Sequence, residues 1–479
     1  LFRANIISVA VKDSSRDLDA PAPRELRGAA TWPWYLYYLR DPLGCVIAAH
    51  RRFGDLLVLG RPSAFAGPKR KLVFASSPSH NKLVLGDPEL FRTGGQGIPG
   101  PRGSAHSKLR FGLTRMQEPK HRIQRQLVLP AVTKSAVDAY TPVIRRIAAE
   151  EIERWPLGGV IDMDREMRQI TIRVAGETLF GESDRERALR FGRMIDEWLR
   201  RSYTPGATYC PLDWPGTAYH GLLQFAERLA ETIRALIRER RAQRNGGGDF
   251  LTRLVRACDE GGGEVSEDDL LGQTAILFAA SFETTATTLA WTLFLLAQFP
   301  AVTLCLVNEL GGARRDEVDE LPYLDAVVKE SLRILPPVSL TLRAVTRPTE
   351  LTGVRLIKGD RIVCSHYLTH RNEAIYPQPN RFDPGRWRTA RPGPYEYIPF
   401  SAGPRQCIGG FFALRAIKCV LAEILARVRF RVVENAQIDR AFRVTIVPRR
   451  GLPMWIHGRD RHFRAAGVRG NIHEMVDLR

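Results

Sequence analysis

The segment from Glu267 to Gln298 constrains this chain most. Ser266 precedes it and Asp269 follows three residues later, the spacing of a capping box. The helix that this start opens is predicted to run to about Gln298. At roughly thirty residues it is about 45 Å long, enough to cross a whole domain. The chain is 479 residues, a length that allows two or three domains, yet no Gly/Ser linker or repeat divides it. One large, mainly helical domain is the expectation.

The flanking sequence fits that frame. A helical pattern extends from about 117 to 300 and is broken at Gly158-Gly159, Pro205-Gly206, Gly246-Gly247-Gly248 and Gly261-Gly262-Gly263. Short β-type runs at Leu56–Leu59 and Leu72–Phe74, and again between Glu350 and Cys364, predict small sheets. Residues 94–108 hold five glycines and two prolines and read as a long binding loop or lid. The expected layout is therefore a Pro- and aromatic-rich segment over 1–40, a main body over 41–456 and a loosely held polar tail over 457–479.

Composition excludes several classes. Seven cysteines are scattered without CxxC pairs, which argues for a reducing, cytoplasmic setting and against zinc or iron–sulfur ligation. No run approaches eighteen apolar residues, so no membrane span is expected. The formal net charge of +19 is spread along the chain rather than gathered in an aromatic-interleaved patch. Basic solubility or docking of an acidic partner is its favoured meaning, and a nucleic-acid module is poorly supported.

The chemistry concentrates around Cys407. It sits in the Gly/Pro-rich stretch Phe400-Ser401-Ala402-Gly403-Pro404-Arg405-Gln406-Cys407-Ile408-Gly409, directly before an apolar helical run. A helix N-terminus favours thiolate over thiol. Gly403 and Gly409 would let the backbone approach a flat cofactor, Phe400 would cover the sulfur, and Arg405 would meet an anionic cofactor edge. In the long helix, Ile276, Ala280 and Thr284 share one face, with Glu283 beside Thr284 and Ser281 three residues before it. An acid next to a hydroxyl in mid-helix can move protons in oxygen chemistry. The ordinary meaning of such a pair is a threonine bonded to its own i−4 carbonyl beside a solvated Glu.

Glu330 and Arg333 lie one turn apart and are followed by Leu335-Pro336-Pro337, and Pro379 to Trp387 adds Arg386. His121 and Arg125 are four apart on a helical segment. Together these stretches resemble the cytochrome P450 family: the FxxGxRxCxG cysteine loop, the A/G-G-x-D/E-T-T helix, ExxR and PxxFxPxRF/W, in family order over roughly 40 to 456. Five fixed positions of the cysteine loop match by chance roughly once in ten thousand chains of this length. Ser281 stands where the family usually has glycine, and Gly385 where it usually has glutamate.

The resemblance implies a single-domain fold, a triangular prism with the long helix over the haem and small β-sheets at one side (mainly α, α+β). It implies haem b with Cys407 as iron ligand, and His121, Arg125, Arg343 and Arg405 around the propionates. Phe400, Gly403, Gly409 and Ala280 would contact the cofactor. Thr284, Glu283 and Ser281 would handle protons, and Glu330, Arg333 and Arg386 would brace the cysteine loop without taking part in catalysis. Pocket walls are expected from the 94–108 loop, Ile276, Ala280, Ser281, Val338, Ser339, Ile446 and Val447. The implied activity is a monooxygenase acting on a mid-sized, mainly hydrophobic molecule, in natural-product tailoring. Oxidative coupling, rearrangement or peroxide-driven oxygenation is the alternative, and a non-catalytic haem carrier or nucleic-acid binder a remote one. No flavin, nicotinamide or iron–sulfur motif is present, so electrons would come from a ferredoxin or flavodoxin with its NAD(P)H reductase. That partner would be steered to a monomeric protein by Lys120, Arg122, Arg415 and Lys418.

Overall fold

A computed structural model describes residues 24–60, 70–94, 98–242, 249–260, 265–312, 318–458 and 463–478. Residues 1–23 and the glycine runs at 246–248 and 261–263 lie outside the described residues. The chain is about 56% helical. It begins with β1 (Arg24–Leu26), α1 (Trp32–Arg40), α2 (Pro42–Phe53), β2 (Leu56–Leu59), β3 (Leu72–Ala75), α3 (Pro78–Gly86), β4 (Phe91–Thr93) and α4 (Ala105–Leu109). The helical middle comprises α5 (Lys120–Val128), α6 (Lys134–Ile152), β5 (Val160–Asp162), α7 (Met163–Phe180), α8 (Arg185–Ser202), α9 (Pro205–Tyr209), α10 (Ala218–Ala242) and α11 (Phe250–Glu260). Then come α12 (Glu267–Gln298), α13 (Pro300–Gly312) and α14 (Pro322–Ile334). The last third holds β6 (Leu340–Val345), β7 (Thr349–Leu351), β8 (Val354–Leu356), β9 (Arg361–Ser365), α15 (His366–Thr369) and α16 (Gly410–Arg427). It closes with β10 (Arg429–Val432), β11 (Ala436–Gln437), β12 (Arg440–Phe442), β13 (Ile446–Pro448), β14 (Pro453–His457) and β15 (Val468–Arg469).

The capping box opens α12 as the spacing requires: Asp269 N–H donates to Ser266 Oγ at 3.2 Å, and Ser266 N–H to Asp269 Oδ2 at 3.0 Å. The helix is apolar all round, so it must be covered on every side. It packs against α7, α8, α14 and α16 in the centre of the main core. The segment before α5 also approaches it closely. A Cβ on Gly272 would lie 2.3 Å from the Phe111 carbonyl oxygen, so only glycine admits that crossing.

Six strands pair in the order β1-β2-β3-β9-β6-β4. The runs Leu56–Leu59 and Leu72–Ala75 are buried on both faces, which explains their unbroken apolar sequence. In this sheet Arg343 of β6 pairs with Ile362 of β9 and Thr93 of β4, which fixes where its side chain starts.

Two expectations are corrected. The 94–108 stretch is not structureless throughout, since Ser104 caps α4 and accepts from Ser107 N–H at 3.2 Å. The segment after 457 is not a loose tail. β15 pairs with β11, and Ile472, Met475 and Val476 are buried. Arg371 Nη2 donates to the Met475 carbonyl at 2.7 Å. These apolar side chains, with the buried Ala466, suffice to dock the segment among many charges, and average polarity hid them. Among the described residues, no single helix is long and apolar enough to cross a membrane.

Candidate functional site

From Asp269 to Gln298, α12 is buried except at Ile276, Leu277, Ala280, Ser281 and Thr284. That stripe at i, i+4 and i+8 marks an internal space along one face of the central helix. Thr284 Oγ1 donates to the Ala280 carbonyl at 3.1 Å and Ser281 Oγ to the Phe278 carbonyl at 2.7 Å. Both hydroxyl protons are therefore engaged with the helix, while their lone pairs remain available.

Glu283 differs from its sequence reading. It is neither solvated nor turned freely inward: it is buried and ion-paired with Arg168 of α7, and Oε1 accepts from Thr445 Oγ1 at 2.8 Å. Arg168 also meets Asp196 of α8 at 3.2 Å and Asp164 at 3.2 Å. Asp196 is 39% exposed and Glu283 8%, so the cluster leads from the surface to mid-helix. Burial pushes the Asp164 and Asp196 carboxyls above their ordinary range. Arg168 was invisible in the sequence, because one arginine on an amphipathic helix looks like any other.

Cys407 is accessible, unlike Cys45, Cys364 and Cys419, which are buried and whose thiols are pushed up to about 12 by desolvation. Its own thiol is still raised, burial being the main cause, while the Gly409 backbone N–H and the charge of Arg125 pull it down. The sulfur is thus open to contact while surrounded by protein on its other sides. The helix N-terminus thus does not win over burial as expected, and the thiolate needs a metal to displace its proton. The loop is closed by Cys407 N–H donating to the Phe400 carbonyl at 2.8 Å. Gly409 has nothing within 4 Å of a notional Cβ, which leaves open space beside the sulfur. Gly403 has a different reason from the one expected. At φ +71° its Cβ would lie 2.4 Å from the Leu85 carbonyl oxygen, so packing of the loop on α3 by itself requires glycine there.

The cationic edge gathers four side chains. Arg405 Nη1 donates to the Met116 carbonyl at 2.7 Å, but its Nε and Nη2 are buried without a hydrogen bond. Arg343 is 5% exposed and bonds only its neighbouring Leu342 carbonyl, at 3.3 Å. Burial lowers the pKa of both. Arg125 Nη1 donates to the Gln406 carbonyl at 2.9 Å. His121 Nδ1 bonds Glu118 at 3.0 Å, and burial with nearby Arg405 lowers its pKa. Glu118 also lies 3.3 Å from Arg405, a partner the sequence reading missed. One carboxylate against the three guanidiniums of Arg125, Arg343 and Arg405 leaves a net positive, partly unbonded cradle. It fits a group with two carboxylates, as haem has.

Glu330 and Arg333 are both fully buried and paired at 2.8 Å. Glu330 accepts from Arg386 Nε at 3.0 Å, Asp383 N–H at 3.0 Å and Trp387 Nε1 at 3.0 Å. Arg333 donates to the carbonyls of His370 at 3.0 Å and Pro379 at 2.7 Å. The network joins α14 to the segment leading into the cysteine loop.

A chamber of about 1190 Å³ opens between α1, residues 98–101, the end of α8 and the β12–β13 hairpin. Its walls include Tyr203, Tyr219, Leu340, Leu342, Phe442 and Arg443. Ile446 and Val447 are 1% and 2% exposed, so that hairpin contributes Phe442 and Arg443 to the wall instead. The Ile446 carbonyl is held by Trp291 Nε1 at 2.7 Å, which turns the strand into the core. Val338 is half-buried, and Ser339 is buried with its Oγ unbonded. The docking cations are also revised. Arg415 is 11% exposed and paired with Asp138 and Asp319, and Lys418 is 7% exposed and lies 2.8 Å from Asp325. Lys120 lies 2.7 Å from Asp269. Arg122 is exposed and has no ion-pair partner among the described residues.

Comparison with known proteins agrees with this geometry. The family model described as Cytochrome P450 matches residues 63–451. Cyclooctatin synthase of Streptomyces melanosporofaciens is 31% identical over 88% of this chain and 91% of its own. Cyclooctat-9-en-7-ol 5-monooxygenase of the same organism is 30% identical over 78% of this chain and 83% of its own. The structure titled retinoic acid bound cyanobacterial CYP120A1 is similar with a TM-score of 0.77 at 21% identity, covering 88% of this chain and 96% of that one.

Proposed function

This chain belongs to the cytochrome P450 family and is a monooxygenase, and we propose that it oxidises a mid-sized, mainly hydrophobic molecule in natural-product tailoring. Haem is the family's cofactor and supplies oxygen activation when bound. The observation that carries the reading is the accessible, desolvated Cys407 two residues from a buried guanidinium of Arg405 whose Nε has no hydrogen bond. Cys407 Sγ would ligate iron, with the Gly409 N–H stabilising the charge on sulfur. His121, Arg125, Arg343 and Arg405 would hold the propionates. Glu330, Arg333 and Arg386 fix the segment from which the cysteine loop springs. The seven free cysteines suit a reducing compartment. Turnover with oxygen, NAD(P)H, a reductase and a ferredoxin or flavodoxin, compared with turnover on hydrogen peroxide, tests the reading. Faster product formation with peroxide alone would overturn it.

At Thr284, Oγ1 already gives its proton to the Ala280 carbonyl, so it can receive a hydrogen bond from a group on the open side of α12. Glu283 must leave Arg168 or Thr445 before it can hand a proton inward. Thr284→Ala should keep haem and substrate binding while product formed per NAD(P)H falls by roughly an order of magnitude or more, given the about 10²–10⁴-fold worth of a positioned proton-transfer group. Unchanged coupling would shift the proton role to Ser281, Glu283 or the substrate.

Electron delivery should respond to Arg122. Arg122→Glu is expected to slow the first electron transfer at low salt and much less at high salt, since exposed charges are screened beyond roughly 8–10 Å. Lys418→Glu should instead lower the melting temperature, because it places one more acid beside Asp325 and Asp319. Stopped-flow reduction at two ionic strengths distinguishes them, and salt-independent rates for Arg122→Glu would remove that docking contact.

A further inference from the structure

The β12–β13 hairpin meets the functional site on two sides. At its tip, Phe442 and Arg443 line the chamber. Thr445, two residues on, is 1% exposed, and its Oγ1 donates to Glu283 Oε1 at 2.8 Å. Among the described residues, Thr445 and Arg168 are the two side chains bonded to Glu283. Of these, only Thr445 belongs to an element that lines the chamber.

Each partner holds a different oxygen. Arg168 Nη1 donates to Oε2, while Nη2 lies 3.5 Å from Oε1, a distance at which little bonding remains. Oε1 is therefore held mainly by the Thr445 hydroxyl. Glu283 directly precedes Thr284, so its side chain leaves α12 about 100° around the helix from the accessible stripe. With both oxygens engaged, the carboxylate is fixed away from Thr284.

The two partners differ in how firmly they are held. Arg168 also donates to Asp164 Oδ2 and Asp196 Oδ1, each at 3.2 Å, which locks it between α7 and α8. Thr445 ends a short turn between two strands that pair with no other strand among the described residues. The base of this hairpin is pinned. Trp291 Nε1 donates to the Ile446 carbonyl at 2.7 Å, Ile446 N–H to the Pro337 carbonyl at 2.9 Å, and Arg440 to Asp41 at 2.8 and 2.7 Å. The turn is closed by Arg443 N–H donating to the Thr445 carbonyl at 2.9 Å. A two-stranded hairpin is marginal by itself, so its tip is the softer of the two anchors. Letting go of Glu283 need not strand the hydroxyl, because Thr287 Oγ1 lies 3.4 Å from Thr445 Oγ1 and can accept its proton.

We propose that Thr445 is a positioning residue, which holds the Glu283 carboxylate turned away from the α12 stripe and so restrains proton delivery from it. The proposal rests on the oxygenase reading above and adds a restraint on its Glu283 step. The consequence is less wasteful oxygen reduction in the resting enzyme. That side reaction converts O₂, NADPH and one proton into hydrogen peroxide and NADP⁺.

The test compares Thr445→Val, which keeps the shape and removes the hydroxyl, with Thr445→Ser, which keeps the hydroxyl. Haem-loaded protein without substrate is given oxygen, NADPH, a plant-type ferredoxin and its reductase. Peroxide release is then measured in H₂O and in D₂O. Thr445→Val should release peroxide about tenfold faster, the worth of one hydrogen bond to a charged group, with a smaller solvent isotope effect. Thr445→Ser should match the parent in both. A second readout needs no turnover. Deuterium uptake by residues 440–448 should rise in Thr445→Val and in Glu283→Ala, and the double variant should rise no further, because all three lose the same bond. Equal peroxide release in the parent and both variants, nil release included, overturns the proposal. So do additive rises in deuterium uptake, or a Thr445→Ser protein that behaves like Thr445→Val. The carbon monoxide band separates the two readings. A parent without it fails the haem-thiolate reading, whereas a parent with the band and an unchanged leak in Thr445→Val fails this proposal alone.

Discussion

Cys407→Ala should abolish the red-shifted carbon monoxide band of the ferrous protein completely, because thiolate ligation produces that band. The alternative sulfurs are poorly placed to rescue it. Cys45, Cys364 and Cys419 are buried, with thiols pushed up to about 12, so each would have to be exposed and deprotonated first. Cys419 lies on α16, only three turns beyond the loop, and makes the sharpest control. Cys419→Ala should leave the band unchanged. A band that persists in Cys407→Ala, or disappears in Cys419→Ala with haem still bound, would show that the ligand assignment is wrong.

Glu330→Gln should be the most destabilising single substitution in the chain. Glu330 is fully buried, and its two oxygens accept from Arg333, Arg386, Trp387 and the Asp383 backbone. The amide puts an N–H₂ donor where donors already converge and leaves Arg333 as a buried charge without its counter-ion. Breaking a buried pair in this way costs about 3–5 kcal/mol, a large share of a typical total of about 5–15 kcal/mol. The variant should therefore express poorly, retain little haem and melt well below the parent. A melting temperature within a degree or two of the parent would mean that the network is dispensable. Asp138→Asn provides the contrast: Asp138 is 42% exposed and Arg415 keeps Asp319 as a partner, so the melting temperature should stay close to the parent's.

Different parts of the molecule were legible in the sequence to different degrees. The bounds of α12, its capping box, the strands β2, β3 and β9 and the order of the motifs could be read directly. These features depend on neighbours within a few positions, where helix and strand periodicity and capping chemistry act. The cysteine loop was legible for the same reason: Phe400, Gly403, Arg405, Cys407 and Gly409 lie within ten residues. Even there the sequence misjudged Gly403, because its neighbour, Leu85, is more than three hundred positions away.

What tertiary structure alone decided was pairing across distance. Glu283 lies beside Thr284 in the sequence, but its partner is Arg168, 115 positions earlier. Glu118 reaches Arg405, and the 463–478 segment docks through four buried side chains, Ala466, Ile472, Met475 and Val476. Arg415 and Lys418, which looked like free surface charge, proved to be neutralised by Asp138, Asp319 and Asp325. The sequence determines how many charges the chain carries and which helices hold them. Whether a given charge is paired, solvated or left waiting for a ligand depends on which elements meet across the core, because burial and Coulomb interactions act through space rather than along the chain.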